Sequence, residues 1–334
     1  MGAPKPMKAF VTGGTGFIGS SVVRALLDRG IAVRALCRHG STQANLDGLA
    51  VEIVEGDLRN PASLQRGMAG CELVFHAGAL YSFWVQPRER IYEINVQGTR
   101  NVFDAAKRAT VERIVYTSSV AALGLREDGL PADETTPTRL DRIVGDYKKS
   151  KYLAEQVALE YAKELPIVIV NPSFPVGPRD LKPTPTGQTI LDFLNRRMPA
   201  YVETGMNVVD VEDVAVGHWL AANKGRIGER YILGGENVTM KGMLDLLSDI
   251  TGLPSPRVRV PYRPILALSY LNAAFCRIFP KITPRMTPET IRMSSHFMYF
   301  DPSKAVRELG FPQTPARDAL AKAVAWFQEN GYVA

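Results

Sequence analysis

Short apolar runs alternate with amphipathic stretches along the first half of the chain. Helical spacing of apolar positions covers residues 16–29, 61–68, 90–108 and 146–164. Between these stretches lie six runs with the length and β-branched content of buried strands: KAFVT, IAVRALC, VEIVEG, CELVFHA, ERIVYTS and PIVIVNP. Strands that alternate with helices form parallel βαβ units, so the pattern predicts an α/β fold with a doubly wound parallel sheet.

The pattern changes after Pro172, where the segment PSFPVGPRDLKPTPTG is rich in proline and glycine. We expect a long ordered loop there, leading into a smaller mixed α/β domain on the C-terminal side. The first domain is predicted over 7–173 and is rejoined by about 208–235. The second, which we expect to bind the substrate, is predicted over 174–207 and about 236–334.

Composition, charge and cysteine spacing indicate a soluble globular protein without a metal site. Hydrophobic residues make up 46% and charged residues 22% of the 334 positions, as in an ordinary soluble fold. The net charge of +6 comes from dispersed Lys and Arg, and an enzyme that handles phosphorylated ligands explains it as well as nucleic acid does. We expect a small-molecule substrate and no nucleic acid. Cys37, Cys71 and Cys276 lack C-x-x-C spacing, which indicates reduced thiols in the cytoplasm and no metal site.

One apolar segment, PILALSYLNAAFCRIF over 264–279, is flanked by Arg259, Arg263, Lys281 and Arg285. It is shorter than the roughly eighteen uninterrupted apolar residues that a membrane span needs. We interpret it as a buried helix of the substrate domain, since helices that are apolar all round are usually core. Peripheral contact with the inner face of a membrane is the alternative.

A glycine turn follows the first predicted strand. TGGTGFIG places Gly13, Gly16 and Gly19 in a G-x-x-G-x-x-G spacing. Such a turn needs tight backbone geometry, close approach to a pyrophosphate, and amides at a helix N-terminus aimed at the anion. Its position between an apolar strand and an apolar helix predicts a Rossmann dinucleotide-binding domain.

The choice of dinucleotide depends on the end of the second strand, near Cys37. An acidic residue for the ribose 2′-hydroxyl is absent there, and the chain has Arg38, His39 and Ser41 instead. A guanidinium suits a 2′-phosphate, so NADP is favoured over NAD. The alternative is that Arg38 is a solvated residue after a strand.

Other residues of the predicted cofactor site follow later strands. Asp57 could reach the adenine, and HAGA at 76–79 ends the fourth strand, although His76 alone would more often be a core histidine. The predicted cofactor-binding set is Gly13, Thr15, Gly16, Phe17, Ile18, Gly19, Arg38, Asp57, Leu58, His76, Ala77, Gly78, Thr117, Tyr147, Lys151, Pro172 and Ser173.

The catalytic candidates are Tyr147, Lys151 and Ser119. YKKSK puts Tyr147 and Lys151 four residues apart and therefore on one face of a helix. A nearby ammonium and a cationic nicotinamide both favour the phenolate, so Tyr147 can exchange a proton with a carbinol oxygen. Ser119, at the carboxyl end of the fifth strand, could hydrogen-bond the same oxygen.

The substrate pocket is predicted between the loops ALYSFW and PVGPRDLKPTPTG and the segment 264–279. Tyr81, Phe83 and Trp84 offer flat apolar surface, while Arg179 and Lys182 could meet a phosphate or polyol. We expect a largely apolar lining. The alternative is that the aromatic residues are ordinary loop packing.

TGGTGFIG, HAGA, NVQGTRN, VYTSS and YKKSK together resemble the extended short-chain dehydrogenase/reductases. Longer segments, such as VIVNPSFPVGPRDLKPTPTG and MPAYVETGMNVVDVEDVAVGH, resemble the hopanoid-associated sugar epimerase family, itself similar to dihydroflavonol reductases. The resemblance implies Tyr147 and Lys151 as the active pair, Ser119 as the third member, and Asn95 as support for the lysine. It also implies an NADP-type domain and a homodimer that pairs through the helices over 90–108 and 146–163.

Two departures from the superfamily's patterns narrow the function. Its dehydratases carry an acidic pair after the strand-end serine or threonine, but here Val120 and Ala121 follow Ser119. Its nucleotide-sugar epimerases carry a diphosphate-binding Arg where this chain has Asn207. We therefore expect hydride transfer at a secondary alcohol or ketone, as net reduction or within an epimerisation. A non-catalytic NADP-binding regulator and a membrane-associated scaffold are the competing classes.

Overall fold

A computed structural model describes residues 7–278 and 287–333. Its first half alternates strands and helices, and a π-helical turn, Glu93–Gln97, joins α3 to α4. The elements in chain order are β1 (Lys8–Thr12), α1 (Phe17–Leu27), β2 (Ala32–Cys37), β3 (Val51–Glu55), α2 (Pro61–Met68), β4 (Leu73–His76), α3 (Glu89–Tyr92), α4 (Gly98–Ala109), β5 (Arg113–Thr117), α5 (Asp146–Tyr161) and β6 (Ile167–Pro172).

Local chemistry explains where several of these elements begin. Asn60 caps α2 by accepting a hydrogen bond from the Ser63 amide, and Pro61 occupies the first turn, where its missing amide hydrogen is no loss. α5 begins after Gly145, whose φ of 90° favours glycine. All six residues of β6 are buried, as expected of a parallel strand covered on both faces.

The second half is more mixed. Its elements are β7 (Phe174–Val176), α6 (Pro185–Leu194), β8 (Ala200–Tyr201), β9 (Gly205–Asp210), α7 (Val211–Lys224), β10 (Arg230–Leu233), β11 (Glu236–Thr239), α8 (Met240–Thr251), β12 (Val258–Arg259), α9 (Tyr262–Ile278), α10 (Pro288–Met293), β13 (Phe297–Met298), α11 (Ser303–Leu309) and α12 (Ala316–Glu329).

The predicted doubly wound parallel sheet is confirmed. Seven strands pair in parallel in the order β10-β6-β5-β4-β1-β2-β3, with a reversal of strand order between β1 and β4. α1, α7 and α11 contribute to the apolar core on one face, and α2, α4 and α5 to that on the other. The seventh strand, β10, adds to the six that the apolar runs predict.

The predicted smaller lobe is built on a second sheet. β9 pairs antiparallel with β11 and parallel with β7 and β13. Its core contains Val208 from β9 together with apolar side chains of α6, α8 and α12. The chain thus leaves the main sheet after β6 and returns to it through α7 and β10. The predicted division of the chain into two domains and its limits stay a prediction.

The interpretation of residues 264–279 as a buried helix is wrong for the part that the structure describes. α9 covers Tyr262–Ile278, and its large apolar residues Leu268, Leu271 and Phe275 are exposed. The residues that it buries are Ser269, Ala273 and Cys276. Apolar content alone could not reveal this orientation, because it depends on which face meets the rest of the lobe.

Candidate active site

The glycine turn between β1 and α1 has the close backbone contacts that require glycine. A Cβ on Gly19 would lie 2.0 Å from the Gly13 carbonyl oxygen. Gly13 has a φ of 74°, and a Cβ there would lie 2.7 Å from Gly78. Gly16 caps α1 without a side-chain hydrogen bond within the described chain. The backbone amides of the first helical turn are therefore available to an anion.

A groove of about 400 Å³ begins at this turn and crosses the carboxyl ends of the strands. We call it the glycine-turn groove. Fourteen of the predicted cofactor residues line it: Gly13, Thr15, Gly16, Phe17, Ile18, Gly19, Arg38, Asp57, Leu58, Ala77, Gly78, Thr117, Tyr147 and Lys151. This is where ligands bind in open α/β sheets, so the groove suits a dinucleotide.

Arg38 and Asp57 lie at the end of the groove beside β2 and β3. Arg38 is exposed, and Ser41 and Thr42 line the groove next to it. Hydrogen bonds from Arg59 lower the pKa of Asp57, and the positive charge of Arg38 acts in the same direction. A guanidinium and two hydroxyls at this edge are groups that could meet a phosphate.

Three predicted cofactor residues do not line the groove. His76 is 1% exposed, and its ring nitrogens lie 2.7 Å from the Thr12 hydroxyl and 3.0 Å from the Thr99 hydroxyl. Burial lowers the pKa of His76 to about 3, so the ring is a neutral bridge between β1, β4 and α4. Pro172 and Ser173 line a second cavity instead.

Tyr147, Ser119 and Lys151 meet where the groove adjoins that second cavity. Burial raises the pKa of Tyr147 to about 12, while a hydrogen bond with Ser119 opposes the shift. Lys151 is 3% exposed and donates a 2.7 Å hydrogen bond to the Thr117 carbonyl. Burial lowers the pKa of Lys151 to about 8, and the nearby Glu155 opposes this effect.

Asn95 lies in the π-helical turn and makes no hydrogen bond to Lys151 within the described chain. Its side chain accepts a hydrogen bond from the Leu80 amide, and donates to the Leu80 carbonyl and to the Ser150 hydroxyl. These bonds tie the loop after β4 to α5, one residue before Lys151. Asn95 therefore positions the backbone that carries the lysine.

The second cavity has a volume of about 340 Å³ and is mostly apolar. We call it the apolar cavity. Met206, Met240, Met293 and Met298 line it together with Phe83, Val120, Phe174 and Phe300. Flexible thioethers adapt to irregular ligands, so the cavity suits an apolar body.

Comparison with known proteins agrees with this geometry. The model of the NAD dependent epimerase/dehydratase family matches residues 9–234. This chain belongs to that family. A protein of Synechocystis sp. whose name proposes it as a dihydroflavonol 4-reductase is 50% identical over 97% of this chain and 95% of its own.

Other relatives match over nearly their whole length. "Sterol demethylase protein B" of Methylococcus capsulatus is 40% identical over 98% of this chain and 100% of its own. The crystal structure of gox2253 has a TM-score of 0.88 and 48% identity, covering 98% of this chain and 99% of that one. The resemblance to extended short-chain dehydrogenase/reductases is thereby confirmed.

The predicted substrate residues of this family member are only partly brought together. Tyr81 and Phe83 surround Tyr147, with ring centroids 4.6 and 5.6 Å from its own. Lys182 lines the glycine-turn groove, whereas Trp84 lines neither site. Arg179 also lines neither, because its guanidinium donates a 2.9 Å hydrogen bond to Glu212.

The third predicted wall, from the segment 264–279, is supplied by another element. No described side chain of α9 lines the apolar cavity, and α10, which packs on α9, contributes Thr290 and Met293. Asn207 reaches the cavity, but its amide is bonded to Gly235, Asn237 and Phe300. Among the described residues no arginine lines this cavity.

The sequence interpretation missed Lys148. Among the residues that the structure describes, it is the one basic residue that lines the apolar cavity. Its ammonium lies 3.8 Å from the Met298 sulfur, and burial lowers its pKa to about 8. Glu289 lies nearby, and burial together with the charge of Asp146 raises its pKa to about 7. The only signal in the sequence was that YKKSK contains two lysines besides Lys151, and by itself such a lysine predicts a solvated helix position.

Proposed function

We propose that this protein is an NADP-dependent oxidoreductase that acts on a secondary alcohol or ketone of an apolar substrate. The observation that carries the proposal is that Tyr147 lines both the glycine-turn groove and the apolar cavity. A group at this junction can reach a reacting oxygen in the cavity while a nicotinamide lies in the groove. When bound, the nicotinamide supplies or accepts the hydride.

Tyr147 is the proposed general acid in the direction of reduction. With its pKa near 12, the phenol keeps its proton at neutral pH and can donate it to a developing alkoxide. Ser119 holds the same oxygen, and the Lys151 ammonium makes the resulting phenolate less costly. In the direction of oxidation the proton moves back from the carbinol to Tyr147.

The preference for NADP over NAD rests on Arg38. The guanidinium is exposed at the edge of the groove, where the side chain that follows β2 would meet the adenine ribose. Charge-assisted, bidentate hydrogen bonds from arginine discriminate a phosphate from a hydroxyl.

The substrate class follows from the apolar cavity. Four methionines and one lysine suit a large apolar body with one polar or anionic group better than they suit a nucleotide diphosphate. The hopanoid-associated role implied by the resemblance is consistent with this lining, and so is the similarity to sterol demethylase protein B. The implied homodimer belongs to the same proposal, and light scattering after size exclusion tests it.

A panel assay with deuterium-labelled cofactor tests the function. NADPH carrying deuterium at the transferred position is incubated with hydroxylated or keto terpenoids, flavonoid-like ketones and nucleotide sugars. Net reduction consumes NADPH and leaves deuterium in the product, whereas epimerisation inverts a carbinol without net consumption. Tight NADPH binding without turnover of any ketone or alcohol would favour the non-catalytic regulator instead.

A further inference from the structure

α9 exposes three of its large apolar residues, while the side chains that it buries are small. Leu268, Leu271 and Phe275 are 50%, 69% and 50% exposed. Ser269, Ala273 and Cys276, on the opposite face, are at most 6% exposed. A surface helix of a globular protein normally has the reverse arrangement, because burial of leucine and phenylalanine stabilises the fold.

The exposed apolar residues form one continuous face. Pro264, Leu268, Leu271 and Phe275 follow the spacing i, i+4, i+7 and i+11, and the exposed Ala267 and Ala274 flank them. The helix has 17 residues and is therefore about 25 Å long at roughly 1.5 Å per residue. Among the described helices none is long and apolar enough to span a bilayer, so a helix of this kind would lie along a surface.

The charge around α9 indicates what that surface is. Residues 250–288 contain no Asp or Glu and six basic residues: Arg257, Arg259, Arg263, Arg277, Lys281 and Arg285. Arg257 and Arg263 are exposed, whereas Arg259 forms an ion pair with Glu203. A second copy docked on the same face would bring cations against cations, whereas anionic lipid headgroups complement them.

α9 lies close to the apolar cavity, so contact between α9 and a lipid surface would bear on how a substrate enters the cavity. α10 packs against α9, and the Arg292 guanidinium of α10 lies over the Tyr270 ring of α9. The same short helix contributes Thr290 and Met293 to the cavity lining. A bilayer in contact with α9 would therefore lie one helix away from the apolar cavity.

We propose that α9 docks this protein on the surface of a bilayer that contains anionic lipids. Leu268, Leu271 and Phe275 enter the boundary between headgroups and acyl chains, and Arg257 and Arg263 meet lipid phosphates. Association is peripheral, and it brings the apolar cavity next to the phase in which an apolar substrate dissolves. The docking rests on α9 alone and stands or falls separately from the proposed hydride transfer.

Co-sedimentation with vesicles tests the proposal. Phosphatidylcholine vesicles are compared with vesicles of phosphatidylcholine and phosphatidylglycerol, for the wild type and a Leu268→Gln, Leu271→Gln double variant. The wild type should bind the anionic vesicles preferentially, and the double variant should bind them about tenfold or more weakly. An Ile227→Gln variant is the matched control, because Ile227 is 53% exposed but lies in the turn before β10. It should bind like the wild type.

Three further measurements separate docking from other causes. Replacing Arg257 and Arg263 by Gln should weaken binding to anionic vesicles about fivefold per cation and leave binding to neutral vesicles unchanged. A tryptophan introduced by Leu271→Trp should be quenched by lipids brominated on their acyl chains. Hydride transfer without vesicles should be the same in the Leu268→Gln, Leu271→Gln variant as in the wild type.

Two results would overturn the proposal. The wild type could fail to sediment with anionic vesicles, or the double leucine variant could bind as the wild type does. The first result would be explained if the double variant also had a different molar mass in solution from the wild type. In that case the face is an interface between proteins.

Discussion

Replacing Tyr147 by phenylalanine removes one hydroxyl from the point where the two sites meet. The ring should stay in place, because it packs against Tyr81 and Phe83 at centroid distances of 4.6 and 5.6 Å. The glycine turn and Arg38, which we expect to hold the cofactor, are not changed by this substitution. We therefore expect NADPH affinity and thermal stability close to those of the wild type.

The expected loss of turnover follows from the role of a general acid. Such a group contributes about two to four decades in rate, or roughly 2.7 to 5.4 kcal/mol of transition-state stabilisation. With the pKa of Tyr147 near 12, the phenol carries the proton throughout the neutral range. Lys148 and Lys151 remain in the variant, but the ring at position 147 then has no proton to transfer.

Tyr81→Phe is the matched control for this experiment. Tyr81 also lines both the glycine-turn groove and the apolar cavity, and its substitution likewise removes one phenolic hydroxyl. Single-turnover oxidation of NADPH, measured with the best ketone from the panel, should fall at least about a hundredfold for Tyr147→Phe. It should change little for Tyr81→Phe, and fluorescence titration should show similar NADPH binding by both variants.

The assignment would be refuted if Tyr147→Phe kept more than about a tenth of wild-type turnover, since one general acid is worth at least two decades. Equal losses in the two variants would also refute it, because the effect would then come from the aromatic cluster and not from a proton donor.

The other predictions concern the cofactor, the glycine turn, the cavity and pH. Arg38→Ala should weaken NADP binding about tenfold to a hundredfold and leave NAD binding unchanged. If the ratio of the NADP and NAD dissociation constants is the same in the variant as in the wild type, Arg38 is only a surface residue. Gly19→Ala, with its Cβ 2.0 Å from the Gly13 oxygen, should lower the melting temperature and NADPH affinity more than Gly16→Ala, whose Cβ would lie 3.2 Å away. UDP-sugars should bind weakly in calorimetry, and a micromolar dissociation constant, about 8 kcal/mol, would contradict the apolar assignment. Because the pKa of Glu289 rises from 4.5 to about 7 on folding, the native state holds the extra proton and stability should fall as pH rises through that window. The melting temperature of Glu289→Gln should fall less steeply with rising pH than that of the wild type. Identical slopes for the two proteins would count against the raised pKa of Glu289.

Local pattern was sufficient for the first half of the fold. The run KAFVT became β1 over Lys8–Thr12, and the helix predicted over 61–68 became α2 with the same limits. Both elements are bounded by residues whose effect is local, such as the glycine turn after β1 and Asn60 before α2. The pairing of β10 with β6 was not readable in this way, because a seven-strand sheet depends on contacts between segments about 60 residues apart.

For the candidate site, the sequence determined which residue types each motif requires. The tertiary structure decided which side chains from other elements those residues contact. Gly19 follows from the turn, and the pairing of Tyr147 with Lys151 follows from helical spacing. That His76 is used within the core depended on the side chains of Thr12 and Thr99, which come from two other elements. Lys148 entered the cavity lining because β13 and α10, distant in sequence, pack beside the start of α5.

The helix α9 shows the same division most clearly. Its sequence determined that one face is rich in leucine and that 39 residues around it, 250–288, carry no acid. Only the fold decided that Ser269, Ala273 and Cys276 face inward and that Leu268 and Leu271 do not. The reason is physical: periodicity fixes which side chains share a face, whereas burial depends on which face its neighbours cover, and those neighbours belong to other parts of the chain.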